Sequence, residues 1–448
     1  MRLRSVDRKI LRIALPAIVS NITVPLLSMV DTAIVGHMGA TAYIGAIAIA
    51  GTVFSVVYWI FGFLRASTSG LTSQALGISD DRQVENHFVR SAFFAVGIAA
   101  LLLVFQRPLW KGTLLLMGTS PEVESIAWRY FSICIWGAPA VMLVRAYNGW
   151  FLGMQNTRIP MLVSIVQNIV NIPVSLILVF VCGWDVCGVA LGTIIAQYAG
   201  LFLAAFLRRK YFRRYCLLRV TRGVFVWKEM KRFLSVNRDI FFRTICLVAV
   251  TVFFTVMGAR QGDEVLAANT LLLQFFYIFS YVMDGFSNAG EAICGKSYGA
   301  GRIREMRIIV KVLFQWGVRM VILFTLAYVV GGHMFLCLLT DGSQVLFVAF
   351  QYWWWTLLIP VCGFSAFLWD GIYVGTTSTR SMLLSMLVAV VVFFVCWFAG
   401  KDWLGNHALW ISFLMYLLSR GWMQLLLFGR IVRWASAQRN NYGPQTRK

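Results

Sequence analysis

Asp31 is the single acid in an apolar run from Ile10 to about Val35, inside Pro16-Ala-Ile-Val-Ser-Asn21-Ile-Thr-Val-Pro25-Leu-Leu-Ser28-Met-Val-Asp31. On a helix, Asn21, Ser28 and Asp31 share one face. Pro16 and Pro25 each remove a backbone hydrogen bond, which predicts bends in that helix. A carboxyl group that water reaches poorly disfavours its charged form, so it can take up and release a proton near neutral pH. The alternative is a structural acid paired with a neighbouring helix. No basic residue lies near Asp31 in its own run, and this favours proton chemistry.

A second polar stripe, Ser164, Asn168, Asn171 and Ser175, repeats at i, i+4, i+7 and i+11, with Pro173 freeing a carbonyl within it. Counted at about 1.5 Å per residue from Arg158, Asn171 lies about 20 Å along its run. Thr193, counted inward from Asp185, lies about 12 Å deep, so the two share a level within a core of about 30 Å. Together with Asp31 these residues compose a small site for a proton or a sodium ion; without it, such a stripe is ordinary glue between helices. In the second half, Asp284, Asn288 and Glu291 share a face, and Asp370 follows Trp353, Trp354 and Trp355. Arg65 and Arg243 are the expected cationic partners, with Arg145 and Arg319 as further options. Ionisable groups inside a membrane mark function, but buried salt bridges that hold helices in register are an equal alternative here. Aromatics and methionines lining a cavity would suit flat lipophilic cations.

These groups need apolar elements to hold them, and the chain is built of little else. It has 448 residues, 59% hydrophobic and 13% charged, with a mean hydropathy of +0.75. That excludes an ordinary soluble enzyme, since soluble domains run near 25% charged. Apolar runs bounded by charge or turn residues predict twelve membrane helices at about 10–36, 41–75, 88–106, 123–152, 159–182, 187–207, 233–258, 265–295, 306–330, 344–374, 381–399 and 407–430. The N-terminal run is too long for a cleaved signal and reads as a retained first helix.

The net charge of +22 reflects topology rather than a nucleic-acid footprint. With the N-terminus inside, the cytoplasmic segments hold the sixth connection's cluster from Arg208 to Arg232, the eighth's Lys296, Arg302, Arg304, Arg307 and Lys311, and the tail from Arg430. Outer connections carry only Arg107, Lys111, Arg260 and Lys401, which predicts both termini in the cytoplasm and a plasma-membrane (bacterial inner-membrane) location. The nine cysteines include no CxxC pair and read as small buried hydrophobes; Cys182 and Cys187 alone sit close enough in a loop to pair. No nucleotide, zinc-protease or nucleophile-elbow motif is present. The expectation is therefore no enzyme, no cofactor and no metal, and transport driven by H+ or Na+.

The chain also repeats itself. Gly153-Met-Gln-Asn-Thr157-Arg158 returns as Gly375-Thr-Thr-Ser-Thr379-Arg380, and Gln74-Ala-Leu-Gly77 as Lys296-Ser-Tyr-Gly299, both 222 residues on. Six spans per half is an even number, so the halves enter the membrane from the same side as parallel repeats. The expected lobes are residues 1–222 (helices 1–6) and 223–448 (helices 7–12), around a central cavity.

The run from Ala14 through Asp31 to Gly36-His37 resembles the first helix of the multidrug and toxic compound extrusion (MATE) family, DinF-like branch. Phe61-Gly-Phe-Leu-Arg65, Gly188-Val-Ala-Leu-Gly-Thr193, Asn237-Arg-Asp239-Ile-Phe-Phe-Arg243, Asp284-Gly285 with Glu291, and Asp370-Gly371 ahead of Thr379-Arg380 are similar to the same branch. The resemblance covers nearly the whole chain. It implies an all-α polytopic membrane protein of twelve helices in two V-shaped lobes, a monomer in membrane lipid that exports amphipathic, often cationic small molecules in exchange for H+ or Na+. It also implies a first-lobe ion site to which Asp31, Asn171 and Thr193 correspond, with Ser175 standing where the branch has a second acid. A one-carboxylate site suits Na+ poorly and H+ well, so proton coupling is expected. Asp370 corresponds to an acid that participates in the sodium-coupled branch. The rival readings are a lipid-linked precursor or metabolite flippase of the same superfamily, and a channel or receptor without coupling. Twelve helices rather than fourteen, and acids in both halves, speak against the flippase.

Overall fold

In a computed structural model of the chain, residues 3–36, 41–117, 120–216, 222–340 and 342–441 are described. The side chain of Asp31 lies outside the described residues, as do those of Arg2, Arg4, Arg219, Arg222 and the tail beyond Ile431.

The described chain is helical throughout, in twelve rods. These are α1 (Leu3–Gly36), α2 (Thr41–Ile60 and Phe63–Gly77), α3 (Asp81–Val104, then a short helix Gln106–Met117) and α4 (Pro121–Cys134 and Ala138–Gly153 through a 3-10 turn). There follow α5 (Arg158–Leu176, ending in a π turn Ile177–Val181), α6 (Asp185–Tyr211), α7 (Trp227–Ala259), α8 (Asp263–Gly299), α9 (Ile303–Leu339), α10 (Ser343–Gly375), α11 (Thr379–Leu404) and α12 (Asn406–Asn441). Among the described residues, eleven of them, α2 to α12, are long and apolar enough to cross a bilayer, and with α1 they complete the twelve expected spans. The helix of α1 continues through Pro16 and Pro25. Pro173 stands inside α5, where it cannot donate to the preceding turn, and the helix widens to its π turn a few residues later.

The 222-residue offset visible in the sequence is also a structural period. Gln155 and Thr377, one period apart, both adopt positive φ in the turns that end α4 and α10 (63° and 51°). Ser79 and Gly301 do the same after α2 and α8 (60° and 67°). The turn hydrogen bonds repeat too: Asn156 N donates to Phe151 O as Ser378 N does to Tyr373 O, each at 2.9 Å. Close helix packing follows the same period. A Cβ on Gly149 would run into the Arg65 carbonyl oxygen of α2, and one on Gly371 into the Ser287 carbonyl of α8. Gly153 against Ser69 and Gly375 against Glu291 repeat the contact one turn on. Small residues let these backbones touch where lipid supplies no hydrophobic drive between helices.

The chain forms two compact units, residues 19–233 in one and residues 1–18 with 234–448 in the other. In the first, Phe54, Trp110, Trp128 and Phe131 stack at one end, and Phe88, Tyr147, Trp150 and Phe151 at the other. In the second, Phe275, Phe279, Tyr328, Phe367 and Trp369 fill the space among α8, α9 and α10.

All nine cysteines are free thiols, Cys182 and Cys187 included. Only Cys134 and Cys294 are buried, which corrects the expectation that the cysteines serve mainly as small core residues; several stand on helix faces left partly open, where a thiol is tolerated as readily as an alanine.

Candidate functional site

In the 19–233 unit, α1 and α5 run side by side in a register that their polar side chains report. Ser20 Oγ and Ser164 Oγ are 3.0 Å apart, and one turn on Asn168 Nδ2 donates to the Thr23 carbonyl at 2.8 Å. The pairs are offset by 144 and 145 residues, and the same offset carried along both helices brings position 31 level with Ser175.

Beyond Asn168 the stripe turns towards α6. Asn171 Nδ2 donates to Thr193 Oγ1 at 3.2 Å, and Thr193 donates onward to the Val189 carbonyl at 3.0 Å. Asn171 and Ser175 are fully buried. Gly192 makes room for Ser175: a side chain there would occupy the place of the Ser175 hydroxyl. Two oxygens of this cluster, Asn171 Oδ1 and Ser175 Oγ, have no hydrogen-bond partner among the described residues. A buried polar atom left so costs about 1–3 kcal/mol, and here two adjoin on one helix face. Asn171 Oδ1 accepts only, so it calls for a donor or a cation; the Ser175 hydroxyl can serve as donor or acceptor.

The second-half acid sits quite differently. Asp370 on α10 is 9% exposed, and its Oδ2 accepts from the guanidinium groups of both Arg243 (α7) and Arg420 (α12). Its Oδ1 accepts from Gln424 Nε2 at 2.9 Å. The expected partner Arg243 is confirmed, while Arg420 and Gln424 escaped the sequence reading. They lie fifty or more residues downstream in a stripe at four-residue spacing on α12, Ser412, Tyr416, Arg420 and Gln424, and only the fold brings that stripe to Asp370. With two arginines against one carboxylate, this cluster has no vacancy for a further cation. Tyr416, above Arg420, donates to Met386 Sδ at 3.2 Å, and nearby Asp239 accepts from Thr379 Oγ1 at 3.0 Å and from Arg238.

The other expected residues are spread out. Glu291 is buried on α8, two turns from Asp284, which faces outward from its unit. Arg65 and Asn21 are half-buried on α2 and α1, and Pro16 and Pro25 likewise on α1. Arg319 stands on the exposed face of α9, over the Trp316 ring. A further polar network missed from sequence lies at the beginning of α3. There Glu85 pairs with Arg208 of α6, whose guanidinium also lies 3.9 Å over the Phe88 ring, and buried Arg90 donates to the Val224 carbonyl. These links tie α3 and α6 to the sixth connection. No cluster of metal-ligating side chains occurs among the described residues.

Two six-helix repeats with buried polar and ionisable groups in each define a multi-pass membrane transporter. The MatE family model matches residues 16–177 and 240–422. DNA damage-inducible protein F of Escherichia coli (strain K12) is 35% identical over 423 residues, covering 94% of this chain and 91% of that protein. Protein DETOXIFICATION 44, chloroplastic, of Arabidopsis thaliana is 25% identical, covering 93% and 81%. Among solved structures, the Vibrio cholerae MATE transporter VcmN in the bent form superposes with a TM-score of 0.86 at 18% identity, covering 97% of this chain and 99% of that one. The chain belongs to the MatE family of multidrug and toxic compound extrusion transporters, in its DinF-like branch; its members are transporters and not enzymes.

Proposed function

We propose that the chain exports amphipathic, often cationic small molecules in exchange for protons, and that Asp31 carries the proton. The observation that carries this reading is the pair of buried, unpartnered oxygens on α5, Asn171 Oδ1 and Ser175 Oγ, with position 31 level with Ser175 in the α1–α5 register. A protonated carboxyl group at that level is a donor that such oxygens lack. When the carboxyl group gives up its proton, it becomes an acceptor, and the Ser175 hydroxyl can rotate to donate to it. Proton exchange therefore rearranges the hydrogen bonding between α1 and α5, which is the element-level change that an exchange mechanism needs.

The second half supports the same ion choice by exclusion. Asp370, matching the acid of the sodium-coupled branch, is already held by Arg243, Arg420 and Gln424, so Na+ has no open carboxylate there. Na+ favours several anionic oxygens, and with Ser175 in place of a second acid the first-half site offers one carboxylate at most. The basic residues around the sixth connection support a plasma-membrane orientation with both termini in the cytoplasm. The test is efflux from proteoliposomes under an imposed proton or sodium gradient, one at a time. The reading expects export with the proton gradient alone; export with sodium alone defeats it. Movement of a lipid-linked precursor without any response to cationic dyes would favour the flippase instead.

A further inference from the structure

We propose that the first half of α9 is a binding site for the headgroup of an anionic phospholipid, with the phosphate between Lys311 and Arg319. Arg304, Arg307, Lys311, Gln315 and Arg319 fall on one face of this helix, and all five are exposed. None of these four cations has an ion-pair partner among the described residues; of the acids nearby, Glu305 is engaged by Arg302 and Asp7 accepts from the Trp316 indole. The opposite face is sealed: Met306, Ile309 and Leu313 are fully buried, and Gly317 packs on Leu368 and Phe364 of α10.

The level of this stripe along the helix points to lipid. Residues 320–339 contain no Asp, Glu, Lys or Arg, and twenty such residues are enough to span the hydrocarbon core, which sets the crossing further along α9 than the 306–330 expected from the sequence. Arg319 is therefore the last cation before the acyl region, and Lys311, Arg307 and Arg304 step outward from it at the level of the headgroups. The surface here is a shallow, open depression along one helix, lined by Lys311, Phe314, Gln315, Val318 and Arg319. Arg319 is steadied over the Trp316 ring at 4.7 Å, and the Trp316 indole is itself fixed by donating to Asp7 Oδ1 at 2.9 Å. Below this depression on the same face, Ile322, Leu326 and Val329 are each more than half exposed and offer a lane for an acyl chain. A charged patch continuous with an apolar lane fits a lipid, whereas a free anion would use the charged patch alone.

The test is native mass spectrometry of the intact transporter released from nanodiscs of phosphatidylcholine with or without phosphatidylglycerol. The wild-type chain should keep phosphatidylglycerol in preference to phosphatidylcholine. Lys311→Gln and Arg319→Gln should each lower that retention about fivefold, the effect expected of one juxtamembrane cation worth about 1 kcal/mol. Lys311→Arg should keep it, and an excess of inorganic phosphate should not displace the lipid. Arg209→Gln with Lys210→Gln, in the equally basic sixth connection, should leave retention unchanged. Unaltered retention in both α9 variants, an equal loss in the sixth-connection pair, or displacement by phosphate would each overturn the proposal. The measurement reads binding alone, so its outcome is separate from the coupling mechanism.

Discussion

Replacing Asp370 by Asn removes one negative charge from a site that holds two buried guanidinium groups. The substitution keeps the shape of the side chain, and Gln424 can still donate to its oxygen, but Arg243 and Arg420 lose their counter-charge. Asp239, one turn from Arg243 on α7, cannot take over, because Arg238 and Thr379 already occupy its carboxylate at 2.9 and 3.0 Å. Breaking a buried pair from one side costs about 3–5 kcal/mol, which shifts the folding equilibrium by roughly two to four orders of magnitude. Thermal unfolding in detergent, followed by loss of the monodisperse peak, should show a clear drop for Asp370→Asn. Combining it with Arg420→Gln should recover part of that loss, on the order of 0.5–3 kcal/mol of coupling. At a temperature where the variant stays folded, proton-driven export should persist. An unchanged unfolding temperature together with lost export would refute the reasoning, since it would make Asp370 the coupling acid rather than a clamp.

Other substitutions probe the first half and the repeat. Ser175→Asp places a second acid in the notch that Gly192 leaves open, and export should gain a dependence on sodium concentration; a folded variant indifferent to sodium argues against the one-carboxylate explanation. Gly149→Ala and Gly371→Ala should each destabilise by about 1–3 kcal/mol through the clash with a facing carbonyl, and by similar amounts because the contacts are one period apart. Gly97→Ala, where a Cβ meets nothing, should instead be neutral or gain up to about 1 kcal/mol, measured by the same unfolding assay.

Much of the fold is legible in the sequence because lipid imposes a simple rule. A chain that must satisfy its backbone internally and stay apolar for about twenty residues announces each crossing, and all twelve rods contain the runs read from composition. The repeat is legible for a sharper reason: Gly149, Gly153, Gly371 and Gly375 stand where backbones touch, so their spacing records three-dimensional packing directly. The breaks inside rods are less visible. The interruption at Phe61–Gly62 and the π turn after Leu176 depend on how neighbouring helices re-satisfy a few amide groups. Side-chain partnerships divide in the same way. The α5 stripe is periodic and could be read, and Ser412, Tyr416, Arg420 and Gln424 repeat at four-residue spacing on α12 as well, but nothing local points from that stripe to Asp370. Arg90 and its bond to Val224 were equally hidden, since the partner is a backbone carbonyl in a connection.

The central claim is that one carboxyl group, on α1, exchanges the coupling proton. It is tested most directly by recording the internal pH of proteoliposomes while an amphipathic cation is exported. The account predicts that the wild-type chain and a folded Asp370→Asn variant both move protons as substrate leaves, and that Asp31→Asn, present at normal levels, moves neither. Export and proton movement that survive Asp31→Asn would contradict it.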